Sequence, residues 1–309
     1  LPFLLDHINL WLLEDGDGWT VVDTGVATDA VKDAWRALFA GPLAGRLAKR
    51  MIVTHFHPDH MGLAGWLEEA FDVPLSTSLG EWAFGRMLYW DDAPDTVEMF
   101  CAFYGRAGFD RTMRQVVRDR GNPYPERVAP LPNQFIRLQD GQTVTIDGRA
   151  WRVIVGTGHS PEHLCLHCPE LNVLISGDQV LPRISPNVSV WPHEPEADPL
   201  RLFLDSLPKF SGLPDDVLVL PSHDRPFRGL HGRLDALAHH HDQRLADALD
   251  ACVRPCTALD ILKVLFRREM DTHQKIFAIG EALAHLHFLM GQGLVTRRRD
   301  GAVDLYQRA

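Results

Sequence analysis

No run of about eighteen apolar residues occurs in the 309-residue sequence, which excludes a transmembrane helix. Cysteine is scarce. Cys101, Cys165, Cys168, Cys252 and Cys256 are odd in number and lack a framework spacing. That argues against a disulfide-stapled secreted module and fits a reducing, cytoplasmic compartment. Cations are outnumbered, with 31 Lys and Arg against 41 Asp and Glu and a net charge of −10. Such a balance opposes non-specific attraction to phosphate backbones, so nucleic acid is not an expected partner. Nor is a membrane. No signal peptide is visible, and a first residue of Leu1 rather than Met leaves the natural N-terminus open.

What is present is an ordinary globular composition, 45% hydrophobic and 23% charged. The length allows one large domain plus a small one, with a core large enough to need no staples. A homodimer is compatible with this composition and is left open.

Strand-like and helix-like stretches alternate along most of the chain. Ile8 to Leu13 and Trp19 to Val22 read as two strands around a turn at residues 14–18. Val31, Trp35, Leu38 and Phe39 repeat at helical spacing, with Thr28 or Asp29 able to cap the start. Met51-Ile52-Val53 is a short buried strand, and Leu63, Trp66, Leu67 and Ala70 give a second amphipathic helix. Further strands are expected at 135–138, 143–146, 150–155, 163–167, 172–176 and 217–220, with a helix over 198–207. The alternation, in two halves, argues for an α/β domain.

Two regions differ. Residues 80–130 hold an aromatic helical stretch and then a Pro-rich loop, expected as a helical cap inserted into a domain covering 1–230. Residues 231–309 carry one long helix, two shorter ones near 260–268 and 275–290, and a hairpin turning at Asp300-Gly301. Helices followed by a two-stranded hairpin read as a small winged-helix domain.

The segment that carries chemistry is Thr54-His55-Phe56-His57-Pro58-Asp59-His60, directly after a strand. Neutral imidazole and carboxylate are the usual zinc ligands. Three histidines so close would repel one another if protonated, so the cluster is costly without a metal. Gly158-His159-Ser160, Ser176-Gly177-Asp178 and Ser222-His223-Asp224 each follow an expected strand end. Sites in sheet proteins converge there.

HxHxDH, a later GH, a GD and a last SH, in this order over residues 5–230, resemble the metallo-β-lactamase superfamily. The resemblance implies an αββα sandwich, two divalent metal ions and a hydroxide bridging them. It implies that His55, His57 and His159 bind the first ion and that Asp59, His60 and His223 bind the second. Asp178 would bridge them, and Asp23, in Val-Val-Asp-Thr-Gly, would orient a ligand histidine from behind. Flavodiiron relatives carry glutamate where this chain has His57, which favours hydrolysis over redox work. Zinc is the default metal; manganese or iron would accept the same ligands. The C-terminal pattern resembles the lactamase-beta-2-like branch, related to hydroxyacylglutathione hydrolase. That implies a dinuclear hydrolase of a small-molecule ester, thioester or lactone, with Asp59 and Asp178 as catalytic carboxylates.

Arg183, Asn187 and Trp191, in the loop after Asp178, are candidate substrate contacts, against a plain loop role. Tyr89 and Trp90 could shape an apolar pocket, although aromatics more often pack cores. His163 either lines the pocket or serves a strand face. His239-His240-His241 points in three directions on a helix and reads as a solvated face. Cys165 and Cys168, three apart on a strand, face opposite sides and read as structural. Competing functions are a metal-dependent nuclease or phosphodiesterase acting on single-stranded RNA, a regulatory winged-helix protein, and a mono-iron sulfur dioxygenase.

Overall fold

The computed structural model describes residues 6–91 and 93–309. They fall into two compact units that cut across chain order. The first is drawn from Leu1–Asp91, Pro123–Pro186 and Lys209–Arg233. The second is drawn from Asp92–Asn122, Asn187–Pro208 and Leu234–Ala309.

Two five-stranded sheets form the first unit. One has the order β1 (Trp11–Asp15), β2 (Gly18–Val22), β3 (Ala48–Ile52), β4 (Leu75–Thr77) and β5 (Ile136–Arg137). Only β1 and β2 are antiparallel in it. The other runs β6 (Thr143–Ile146), β7 (Arg149–Gly156), β8 (His163–Cys168), β9 (Val173–Gly177) and β10 (Leu218–Pro221), in spatial order from one edge to the other. Here only β9 and β10 are parallel. Inward side chains of both sheets share one core: Val22 and Ile52 from the first meet Ile146, Trp151, Val153, Leu164, Leu166 and Ile175 from the second. A single deletion in this layer, Leu→Ala, costs roughly 2–5 kcal/mol. The result is a mixed α/β sandwich, as expected.

Helices connect the parallel strands of the first sheet. They are α1 (Asp29–Ala40), the single turn α2 (Pro58–Met61), α3 (Ala64–Phe71) and α4 (Leu79–Trp90). Of the two candidate caps for α1 it is Thr28 that acts, its side chain accepting from Val31 N–H. The buried Trp35 of α1 donates its ring N–H to Thr24 O at 2.8 Å, which fixes the helix beside the loop leaving β2. The β1–β2 turn is shorter than expected, because Asp15 pairs with Gly18 and Gly16 takes φ +65°.

The second unit is helical. It holds α5 (Pro94–Arg106), α6 (Arg111–Arg120), α7 (Pro199–Ser206), most of α8 (Leu230–Ala251), α9 (Ala258–Leu265), α10 (Thr272–Gly291) and a hairpin of β11 (Val295–Asp300) and β12 (Val303–Arg308). The aromatic stretch expected as one cap is thus three helices, α4 grouped with the sheets and α5 and α6 with the C-terminal helices. Asp300 pairs with Val303, so the hairpin turns at Gly301-Ala302, one residue later than the sequence suggests. Gly301 takes φ +59° at the first turn position, where a left-handed residue matches strand twist.

His241 corrects another expectation. It is fully buried, not solvated, and its Nδ1 lies 3.3 Å from His285 Nε2 on α10. A 22-residue helix covered along one side must bury whichever residues face that side. His285 donates from Nδ1 to Glu281 O at 2.7 Å, so its Nε2 is left to accept from His241. Among the described residues no helix is long and apolar enough to cross a membrane.

Candidate metal centre

Every candidate ligand stands in the first unit, just past a strand end. His55, His57, Asp59 and His60 follow β3; His159 follows β7; Asp178 follows β9; His223 follows β10. Pro58 opens α2, and the turn of α2 carries Asp59 and His60 to the same centre as His55.

The donor atoms converge. His55 Nε2 lies 2.8 Å from His57 Nδ1 and 3.2 Å from His159 Nε2. Nitrogen donors to one zinc ion lie about 2.0–2.1 Å from it, so separations this short would let a single ion be held by all three rings. His55, His57 and His159 form one group of possible ligands, and Asp59, His60 and His223 form another, each with its donor atoms within 4.8 Å of one another. Asp178 stands between them. Its Oδ2 is 3.6 Å from His159 Nε2, while its Oδ1 is 3.6 Å from His60 Nε2 and 3.5 Å from His223 Nε2.

Two buried atoms at this point, His60 Nε2 and Asp178 Oδ1, have no hydrogen-bond partner among the described residues. Buried polar atoms left unpaired are costly, and a cation facing both would remove that cost. The donor set is imidazole and carboxylate, and the residues present fit divalent metal.

Electrostatics agree. Burial, then the neighbouring imidazoles, hold His55 and His57 well below the ordinary histidine range. They are neutral, as metal ligation requires. Burial also opposes charge on His60, but Asp59, Asp178 and Asp23 outweigh it and lift the ring to about 10. Burial would raise Asp178, yet His60, His223 and His159 hold it far below the usual carboxylate range. The centre is therefore arranged for positive charge among carboxylates.

Supporting groups fix the ring orientations. Asp23 Oδ2 accepts from His60 Nδ1 at 2.8 Å, and Asp23 Oδ1 accepts from Thr54 N–H at 2.7 Å. His223 Nδ1 donates to His7 O at 2.9 Å, which leaves Nε2 pointing at Asp59 and Asp178. Asp23 sits at φ +63°, a conformation in which Asp is among the tolerated residues.

Sequence reasoning missed Glu81. It is fully buried on α4, with Oε2 accepting from Phe56 N–H at 3.0 Å. Its Oε1 accepts from Ser160 Oγ at 2.7 Å and from Glu162 N–H at 2.6 Å. One carboxylate thus ties the loop of His55 and His57 to the loop of His159. Burial raises it to about 7, against the three donors. Ser78-x-x-Glu81 is spaced like a capping box. Only half of that motif forms, since the Ser78 side chain accepts from Glu81 N–H while the carboxylate reaches the two loops. His163, left undecided from sequence, is buried with its ring centroid 4.7 Å from that of His55, and its Nε2 accepts from Asp178 N–H at 3.0 Å.

The candidate substrate contacts are spread out. Arg183 is exposed and pairs with Asp224 at 2.9 Å, next to His223. Tyr89 and the exposed Trp90 close α4 with ring centroids 5.1 Å apart. Asn187 and Trp191 belong to the second unit, where Asn187 accepts from Ser189 Oγ at 2.7 Å. The cysteine pair of β8 is split as expected: Cys168 packs into the core between the sheets with Leu164 and Leu166, and Cys165 does not.

Comparison with known proteins places these features. Residues 4–223 match the metallo-beta-lactamase superfamily, and residues 245–309 match the metallo-beta-lactamase-like C-terminal domain. The crystal structure of a beta-lactamase domain protein from Burkholderia ambifaria is 45% identical, with a TM-score of 0.92, over 100% of this chain and 90% of that one. A metallo-beta-lactamase family protein from Thermus thermophilus is 29% identical, with a TM-score of 0.83, over 100% of this chain and 96% of that one. The probable metallo-hydrolase YqjP of Bacillus subtilis is 23% identical over 97% of this chain and 93% of its own length. The match to the lactamase-like protein nscB of Neosartorya fischeri, 30% identical, spans 38% of this chain and only 33% of that protein. With the match covering residues 4–223 and a histidine and aspartate cluster at the ends of its strands, the chain belongs to the metallo-beta-lactamase superfamily and is a metal-dependent hydrolase.

Proposed function

We propose that the chain holds two divalent metal ions, zinc by default, and hydrolyses a small-molecule ester, thioester or lactone. The observation that carries the two-ion reading is the placement of Asp178, one oxygen toward His159 and the other toward His60 and His223. A carboxylate so shared suits a bridge between His55, His57 and His159 on one side and Asp59, His60 and His223 on the other. Such ions, when bound, polarise an acyl oxygen and make water a nucleophile at neutral pH.

The chain's own residues do the rest. Asp59, with a side chain slightly more exposed than that of Asp178, takes the proton of the attacking water and returns it to the departing oxygen or sulfur. Asp23 and the His7 carbonyl keep His60 and His223 in the tautomer that offers Nε2. Glu81 holds the two histidine loops at a fixed separation. Arg183, steadied by Asp224, anchors a polar or anionic group of the substrate, and Tyr89 with Trp90 supplies an apolar wall. The net charge of −10 favours a small acyl substrate over single-stranded RNA. The C-terminal helices and hairpin fit a winged helix serving as a structural domain.

A panel of thioesters, lactones, phosphodiesters and single-stranded RNA, run with metal content measured on the same sample, tests this. Turnover of an acyl substrate with two metal ions per chain is expected. It should vanish in His57→Ala and Asp178→Ala while both chains stay folded. Activity on phosphodiesters or RNA alone would overturn the substrate class, and one ion per chain would overturn the bridge.

A further inference from the structure

Two thiols outside the metal centre stand in a geometry the hydrolase does not use. Cys252 Sγ and Cys256 Sγ are 3.7 Å apart in the second unit. Closing a disulfide needs the sulfurs to approach to about 2.05 Å, a movement of under 2 Å. In a continued helix the two residues would lie one turn apart. Pro255 ends that path, and Cys256 instead turns back toward the last turn of α8.

Strand β12 holds both ends in place. Arg308 N–H donates to Cys252 O at 2.7 Å, while Cys256 and Tyr306 exchange backbone hydrogen bonds of 3.0 and 2.8 Å. Access is unequal. Cys252 is fully buried and Cys256 is half-buried, whereas Cys101, Cys165 and Cys168 are all buried.

We infer that Cys252 and Cys256 form a reversible redox site that exchanges with disulfides of low-molecular-weight thiols. The half-buried Cys256 is the attacking thiol. The neighbouring Cys252 thiol donates to it and favours its thiolate, lowering it below the ordinary cysteine value. The Cys256 thiolate attacks one sulfur of the small disulfide, forms a mixed disulfide and releases one small thiolate, which takes up a proton. Cys252 then loses its proton, its sulfur attacks Cys256 Sγ, and the second small thiol leaves. Two protein thiols are oxidised to one disulfide, and one small disulfide is reduced to two thiols. The bond would fasten the end of α8 to the segment that pairs with β12.

The test is direct because Arg254 precedes Pro255, so trypsin leaves both cysteines, and no others, in the peptide of residues 245–263. The full-length chain is equilibrated in mixtures of oxidised and reduced glutathione, quenched with acid, alkylated and digested. Expected is a 245–263 peptide two hydrogens lighter and unalkylated in the oxidising mixtures, restored by dithiothreitol, with Cys101, Cys165 and Cys168 alkylated throughout. In Cys252→Ser the same peptide should instead carry one glutathione on Cys256. In Cys256→Ser it should carry none. Overturning results are a 245–263 peptide that stays alkylated at both cysteines in every mixture, oxidation of all five cysteines together, or glutathione on Cys252 of Cys256→Ser.

Discussion

The ring of His163 accepts a hydrogen bond from the backbone N–H of Asp178 at 3.0 Å, under a glycine, Gly177, held at φ +53°. This contact holds the backbone at Asp178, whose carboxylate lies between His159 and the pair His60 and His223. A Cβ on Gly177 would run into the His163 ring, so the close approach of backbone to imidazole requires glycine there. His163→Ala leaves a buried N–H unpaired and opens a cavity. It should cost roughly 2–4 kcal/mol in urea unfolding. A change of less than about 0.5 kcal/mol would show that the bond does not position Asp178.

Glu81 predicts a separation of folding from metal retention. Glu81→Gln keeps the shape but offers one acceptor oxygen where three donors converge. We expect a folded chain with a several-fold faster loss of metal to a chelator, because the His55–His57 loop and the His159 loop are no longer held together. Ser160→Ala removes only one of the three donors and should lie between variant and wild type. Equal chelator kinetics in all three would remove Glu81 from the positioning of the ligands.

Asp23→Asn should lower metal affinity by about 10–100-fold, the usual effect of losing a carboxylate behind a ligand histidine. Asn presents less negative charge to His60 Nδ1 and leaves Thr54 with a poorer acceptor. Competition against a chromogenic chelator measures it, and unchanged affinity would mean that His60 is oriented by its other neighbours alone.

In the second unit, Glu281 gives a pH dependence of stability. Burial lifts its carboxyl to about 7 from 4.5, against the pull of Arg244. The folded chain therefore binds that proton more tightly than the unfolded one. The resulting stabilisation is full below about 4.5 and is lost as pH rises through about 7. His241 and His285, held down to about 3 and about 4 first by burial, act with the opposite sign and lose stability as pH falls below 6.5. Comparing Glu281→Gln with wild type isolates the carboxyl. The variant should gain on wild type by up to about 3 kcal/mol between pH 4.5 and 8. Unfolding curves at the two pH values decide it, and a gap that does not change with pH would be inconsistent with a buried, protonated Glu281.

Two glycines in helices predict opposite signs. A Cβ on Gly65 of α3 would overlap Pro130 O, so Gly65→Ala should destabilise by about 2 kcal/mol or more. Gly232, in α8, has no described atom within 4 Å of its Cβ position, and Gly232→Ala should stabilise by roughly 0.5–1 kcal/mol through helix propensity. Thermal melts of the pair check both, and a loss in the second would show that α8 is shaped by more than its own backbone.

The sequence by itself determined the class of fold and a candidate ligand set. His55, His57, Asp59 and His60 share one short segment after β3, and each later candidate ligand follows a strand whose apolar pattern is local. Local signals of that kind survive without knowledge of the rest of the chain. Tertiary structure alone decided what stands behind those ligands. Glu81 lies 21 residues beyond His60 on a helix whose pattern reads as an N-cap motif, and only the packing of α4 aims its carboxylate at Phe56 and Ser160. His241 looked solvated because helical periodicity gives directions but not neighbours, and α10 covers that direction. Which oxygen of Asp178 faces which histidine, and the 3.7 Å between Cys252 and Cys256, are likewise set by long-range approach. Distances between side chains on separate elements depend on how those elements pack, and residue spacing carries no record of that.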